Sequence, residues 1–257
     1  MYGWRGRIGL LVPSINTTIE PEFWRLAPEG VSVHSARMDV GGQGTPEALR
    51  AMEHVAKNAA KDVAMTKPDV VVYGCTSGSF FEGPAFNERI IRDLSAIVKV
   101  PVVTTAGAMA ASLLAAGVKR VNVVTPYVEL TNERLKQFLG AFGIEVVRLD
   151  TFDMLDLFDH AKILPEEVYR KVKDMDSDKA QAVFVACTQV HALEVVDVLE
   201  RDLGKPVYSA NQASLWQAFD TLGLDPGINH CGSLLRGLSE RHSTVAVPPV
   251  ARAQARG

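Results

Sequence analysis

One pattern, written twice, constrains this chain more than any other feature. Val70-Val71-Val72-Tyr73 runs straight into Gly74-Cys75-Thr76-Ser77-Gly78-Ser79. A short unbroken apolar run suits a strand covered on both faces, and a helix-like stretch follows it, as in a parallel β/α unit. The construction returns as Ala182-Val183-Phe184-Val185-Ala186-Cys187-Thr188-Gln189, which sets the two Cys-Thr pairs 112 positions apart. Arg120-Val121-Asn122-Val123-Val124-Thr125-Pro126 repeats Arg7-Ile8-Gly9-Leu10-Leu11-Val12-Pro13 at an offset of 113. Lys205-Pro206-Val207-Tyr208-Ser209-Ala210 answers Val100-Pro101-Val102-Val103-Thr104-Thr105 at an offset of 105. A short period would mean a solenoid; a period near half the chain means two lobes about a pseudo-twofold axis. The expected fold is α/β, with two pseudo-symmetric lobes, each a mostly parallel sheet flanked by helices. Residues 1–105 with 209–240 form lobe I, and residues 106–208 form lobe II. Small ligands bind beyond the carboxyl ends of such strands, so both thiols are expected at one cleft between the lobes.

The remaining elements fit this scheme. A first strand over 8–12 ends in Pro13-Ser14-Ile15-Asn16-Thr17-Thr18, followed by a helix over 19–26 and a strand over 31–38. Thr45 caps a helix with Pro46 at its first position, and Leu49, Met52, Val55, Ala56, Ala59 and Val63 form its apolar face. Helices are expected over 87–98, 108–116, 165–175, 193–203 and 213–222, with another around Leu135 to Phe142. Strands are expected over 100–105 and 144–149. Gly41 to Gly44 reads as a flexible loop, a candidate lid. The alanines, arginines and prolines from about His242 onward read as a disordered tail, residues 241–257.

Composition narrows the function. The chain has 257 residues, 47% hydrophobic and 22% charged, which suffices for a full core. A net charge of −3 gives no basis for binding nucleic acid or an anionic membrane. The apolar run after Arg7 stops at Pro13, too short for a signal peptide. The alanine-rich stretch 106–118 carries two glycines and is no membrane span. Three cysteines, Cys75, Cys187 and Cys231, do not make a disulfide framework. The expected location is the cytoplasm.

A thiol in an apolar strand is ordinarily a small buried hydrophobe. Cys75 and Cys187 differ in ending their strands and opening polar, small-residue loops, where backbone N–H groups lower a thiol pKa. They are the catalytic candidates; Cys231 lacks the preceding strand and reads as structural. Asn16, with Ser14 and Thr17, is a helix cap or a carboxylate-binding set. Tyr127 ends the corresponding strand of the second half, either as a packed tyrosine or as a substrate contact. Cys187 and His191, four apart, would share one face of a helix, but structural zinc needs about four clustered ligands and no Cys-x-x-Cys pair occurs. No nucleotide-binding glycine motif and no serine-nucleophile elbow is present. Thiol chemistry without metal or cofactor is the expectation.

Two cysteines in strand–Cys-Thr contexts on duplicated lobes resemble the aspartate/glutamate racemase superfamily. Within it, Val12-Pro13-Ser14-Ile15-Asn16-Thr17-Thr18, Tyr73-Gly74-Cys75-Thr76-Ser77-Gly78-Ser79 and Thr125-Pro126-Tyr127 look like motifs of the maleate cis–trans isomerases, and Cys187-Thr188 fits the second-cysteine position. Glutamate racemases differ: they begin with Asp-Ser-Gly and carry Cys-Thr-His where this chain has Gln189. Arylmalonate decarboxylases, also similar, lack the first thiol. Maleate isomerases offer an asparagine shortly before the helix that begins here near Pro165, and this chain has none there.

The resemblance implies flavodoxin-like lobes, no cofactor and a homodimer or higher homo-oligomer. It implies catalysis by Cys75 and Cys187 on a small carboxylic acid held by Ser14, Asn16, Thr76, Ser77, Tyr127, Thr188 and Gln189. Cys75 thiolate would add to an alkene carbon and Cys187 would handle the proton. A two-thiol racemase or epimerase and a non-catalytic two-lobed binding protein are the competing readings.

Overall fold

The computed structural model describes residues 2–40 and 45–244. The first half runs β1 (Gly6–Pro13), α1 (Ile19–Leu26), β2 (Val31–Met38), α2 (Pro46–Ala64), β3 (Val70–Tyr73), α3 (Thr76–Phe80), α4 (Pro84–Val98), β4 (Val102–Thr104) and α5 (Thr105–Ala115). The second runs β5 (Arg120–Thr125), α6 (Glu129–Ala141), β6 (Glu145–Thr151), a 3-10 turn (Asp159–Lys162), α7 (Pro165–Met175), β7 (Ala182–Val185), α8 (Val196–Leu203), β8 (Val207–Ser209), α9 (Ala210–Leu222) and α10 (Gly232–Thr244).

The strands form two parallel four-stranded sheets, ordered β2-β1-β3-β4 and β6-β5-β7-β8. Each element of the first order has its counterpart in the second, so the duplication read from the offsets is a duplication of topology. The inner strands β3 and β7 are buried along their whole length, as their unbroken apolar runs demand. Each abuts the neighbour that supplies the other site loop: Leu11 of β1 pairs with Tyr73, and Val124 of β5 pairs with Val185. Both sheets therefore aim the ends of their central strands the same way, toward the cleft.

Two equivalent junctions weld the halves. The Thr104 hydroxyl accepts the Gly107 N–H and caps α5, and Ser209 makes a capping box with Gln212 at the start of α9. Both helices are buried through most of their length, which explains why their sequences lack a clear polar stripe. The Ser214 hydroxyl of α9 donates to the Thr105 hydroxyl of α5 at 3.2 Å.

The structure corrects several expected boundaries. α5 and α9 begin three residues earlier than the periodicity indicated, because Thr104 and Ser209 are caps rather than strand interior. The expected helix over 193–203 starts at Val196, after turns. The expected tail is cut short: residues 241–244 belong to α10, and the rest of it, from 245 on, lies outside the described residues, as does the glycine loop 41–44. α10 was hidden because its cap is tertiary. Asp197 accepts the N–H groups of Cys231 and Gly232, and Glu200 accepts that of Ser233. Among the described residues no helix is long and apolar enough to cross a membrane.

Gly74, between β3 and Cys75, has no room for a side chain: a Cβ would lie 2.9 Å from the Leu11 carbonyl oxygen and 2.9 Å from Ile19 Cδ1. Gly74→Ala is expected to destabilise the fold by about 1–3 kcal/mol through overpacking, measured by denaturant unfolding.

Candidate active site

A small cavity opens where the ends of β1, β3, β5 and β7 converge, and both Cys75 and Cys187 line it. The two thiols expected at one cleft thus share one cavity. Neither is exposed in the ordinary sense; both are buried.

Cys75 is the N-cap of α3. Its sulfur accepts the Gly78 N–H at 3.4 Å and lies 3.9 Å from Ser77 Oγ. A Cβ at residue 78 would sit 3.0 Å from that sulfur, so glycine is what lets the N–H approach. Burial pushes the Cys75 thiol up, with the Gly78 N–H and the Ser77 hydroxyl pulling it back. Cys187 takes φ +113°, a backbone conformation that L-residues seldom adopt and that costs on the order of 1–3 kcal/mol. Its sulfur accepts the Gln189 N–H at 3.4 Å. Burial pushes its pKa up to about 12, against the opposing pull of the Gln189 N–H and the Tyr127 hydroxyl.

Two hydroxyls in the cavity wall have no completed hydrogen bond. Tyr127 Oη and Thr76 Oγ1 are buried without a partner of good geometry. The tyrosine ring is held edge-on between Phe80 of lobe I and His160 of lobe II, each 6.0 Å away. Its hydroxyl lies near enough to both sulfurs that, after burial, each raises its pKa. Tyr127 Oη nevertheless lies within reach of the Thr76 hydroxyl and the Cys187 sulfur, so the two hydroxyls and the second thiol form one loosely engaged cluster.

Of the two roles weighed for Asn16, the structure shows the cap. Its Oδ1 accepts the N–H groups of Thr18 and Ile19 at 2.9 and 3.0 Å, capping α1. Its Nδ2 donates to Thr188 Oγ1 at 3.0 Å, and that hydroxyl donates to the Gly74 carbonyl at 3.2 Å. Gln189 lines the cavity, but its amide is engaged by main chain: Oε1 accepts the Thr17 N–H, and Nε2 donates to the Ile15 and Leu157 carbonyls. It works as a clasp between the first-strand loop and the loop before α7. Ser77 lines the cavity beside Cys75, whereas Ser14 is exposed, outside the lining, with its N–H on the Met38 carbonyl.

His160 was not singled out from the sequence. It is buried and lines the cavity. Its Nδ1 is 3.7 Å from Cys187 Sγ and its Nε2 is 3.1 Å from the Met154 carbonyl. Nothing local marks it, because the turn over 159–162 is built against β7 from a distance in sequence. His191 does not share a helical face with Cys187, since 186–195 is turns rather than helix. It instead joins Glu22 and Glu194, with ligand atoms within 4.8 Å of one another, where Arg25 already pairs with Glu194 at 3.2 Å. Among the described residues that line the cavity there is no Lys or Arg.

This geometry defines a two-lobed enzyme with paired cysteines. The chain belongs to the arylmalonate decarboxylase family, whose model matches residues 8–235. It is 30% identical to a maleate isomerase of Pseudomonas putida, over 90% of this chain and 97% of that one. A maleate isomerase structure from Pseudomonas putida with maleate superposes with a TM-score of 0.86 at 29% identity, covering 90% of this chain and 98% of that one. A Nocardia farcinica maleate cis–trans isomerase structure with a covalently bound succinylcysteine intermediate gives 0.85 at 28% identity, with the same coverage.

Behind the site, Glu22 Oε2 accepts Asn211 Nδ2 at 2.6 Å, and the same amide nitrogen donates to the Thr188 carbonyl at 3.0 Å. Burial raises the Glu22 pKa to about 8, partly offset by the Asn211 hydrogen bond. Because the folded state holds this proton more tightly than the unfolded one, its stabilising effect is complete below the ordinary value of 4.5 and is lost as pH rises to about 8. Glu22→Gln is expected to remove that downward slope, so that the variant is the more stable protein at pH 8, in urea unfolding followed across pH. Gln189→Ala, which leaves the Thr17 N–H without its partner, is expected to lose about 1–3 kcal/mol in the same measurement.

Proposed function

We propose that the protein is a cofactor-independent cis–trans isomerase of a small dicarboxylate, taking maleate to fumarate. What carries this reading is the pair of thiols from duplicated strand ends, lining one cavity together with the Tyr127 and Thr76 hydroxyls. The relatives that act on maleate, and the succinylcysteine seen in one of them, support the same chemistry.

Cys75 as thiolate adds to one alkene carbon. The π electrons move to the neighbouring carbon and its carboxylate, and Cys187 delivers a proton to that carbon. The adduct has a single C–C bond and rotates. Removal of the proton and expulsion of the Cys75 thiolate then give the trans alkene. Tyr127 Oη and Thr76 Oγ1 are the donors placed to hold carboxylate oxygens and to stabilise the enolate-like charge, with the Ser77, Thr188 and Asn16 groups around them. With no lysine or arginine lining the cavity, recognition falls to neutral donors. We further propose a homodimer working in the reducing cytoplasm, a setting that keeps both thiols available; light scattering tests the dimer.

Cys75→Ser is expected to abolish isomerisation and Cys187→Ser to slow it by orders of magnitude. Proton NMR of maleate with the purified protein in deuterated buffer reads both. Wild-type turnover by Cys75→Ser would sink the mechanism. Deuterium entering a chiral amino acid, with maleate untouched, would establish a racemase instead.

A further inference from the structure

We propose that His160 is a third catalytic residue, the base that holds the Cys75 proton while Cys75 is a thiolate, reached through Cys187. The inference rests on the isomerase reading for its substrate, but not for its geometry.

The tautomer follows from the neighbours. The Met154 carbonyl can only accept, so Nε2 of His160 carries the hydrogen of that 3.1 Å contact. In the neutral ring Nδ1 then presents a lone pair, and it faces Cys187 Sγ at 3.7 Å. The thiol therefore points its hydrogen at a base.

The cavity needs such a base. Burial raises both thiols, and no cationic side chain lines the wall to stabilise a thiolate. A lone buried anion is costly. Of the residues lining the cavity, His160 is the one whose ordinary pKa lies near neutrality.

The proton count closes. At rest both thiols are protonated and the imidazole is neutral. Cys187 gives its proton to Nδ1 as it takes the Cys75 proton, leaving Cys75 thiolate, Cys187 thiol and imidazolium. The Cys75 sulfur then bonds to the alkene carbon, Cys187 protonates the adjacent carbon, and imidazolium returns its proton to Cys187. Elimination runs the same transfers backward. No oxidant, reductant or further proton is required.

The groups facing the ring fit this role. Tyr127 comes from the β5–α6 connection and Cys187 from the turn after β7. Asp156 and Asp159 lie on the ring's own segment and raise its proton affinity, Asp159 being paired with Lys162. Burial outweighs them and lowers the His160 pKa from 6.5. The ring is thus neutral at pH 7, and the acid limb of activity falls below that ordinary value.

The test compares wild type with His160→Gln, whose amide can still donate to Met154. Iodoacetamide labelling of Cys75, read by peptide mass, needs no turnover. Wild type is expected to label at a rate nearly flat from pH 7 to 9 and falling in the acid range. The variant should label about tenfold or more slowly at pH 7 and climb with pH as an isolated thiol does. Its kcat for maleate should fall about 10²–10⁴-fold with little change in KM. Superimposable labelling profiles, or no labelling of wild-type Cys75, would overturn the proposal, as would a loss confined to KM. If maleate is not turned over while the labelling profiles differ as stated, His160 keeps its role and the isomerase reading fails. Should the variant not fold, the wild-type profile decides: a rate climbing steadily through pH 9 overturns the proposal.

Discussion

The Thr188 hydroxyl is the hinge-pin of this structure. It accepts from Asn16, which caps α1 in lobe I, and donates to the Gly74 carbonyl, immediately before Cys75. One hydroxyl from lobe II thus fixes both lobe I loops that build the cavity. Asn211 holds the Thr188 carbonyl from behind, and the Gln189 amide clasps the neighbouring main chain. Buried hydrogen bonds in so low a dielectric are costly to leave unmade. The placement of the two thiol-bearing loops is therefore set by this polar junction rather than by the thiols themselves.

That junction separates scaffold from chemistry. Asn16, Thr188 and Gln189 spend their polar atoms on the protein. Tyr127 Oη and Thr76 Oγ1 complete no hydrogen bond, and both residues line the cavity with the two thiols. The cavity pairs these two donors with apolar walls from Met52, Leu49 and Leu157 and with no fixed cation. Charge that develops inside must be met by neutral dipoles and by moving a proton a short way. This suits a reaction in which carbanion character rises and falls without leaving a permanent ion.

Much of this was legible in the sequence, and the reasons are local. The apolar runs at 70–72 and 182–185 could only be covered strands, and the near-equal offsets placed both thiols at corresponding strand ends. Asn16 and Tyr127 were found because they end related strands. What escaped depends on contacts between distant segments. His160 sits in a turn with no periodic signal, and its meaning comes from Cys187, 27 residues on. α10 has its cap in acids of α8. Ser14 sits inside a specific-looking motif, yet the first-strand loop turns its side chain outward. Gln189 lies beside the second thiol, and only its three main-chain partners reveal it as a clasp.

The φ of +113° at Cys187 has a consequence for how such proteins diversify. Glycine occupies that region of conformational space without penalty, so the backbone here would be more at ease without any side chain. A single base change in a cysteine codon yields glycine. Random drift thus has a ready route to a better-relaxed chain that has lost its second sulfur, and this chain has not taken it. Cys187→Gly would therefore relax the backbone at the one position where it also removes the second sulfur from the cavity.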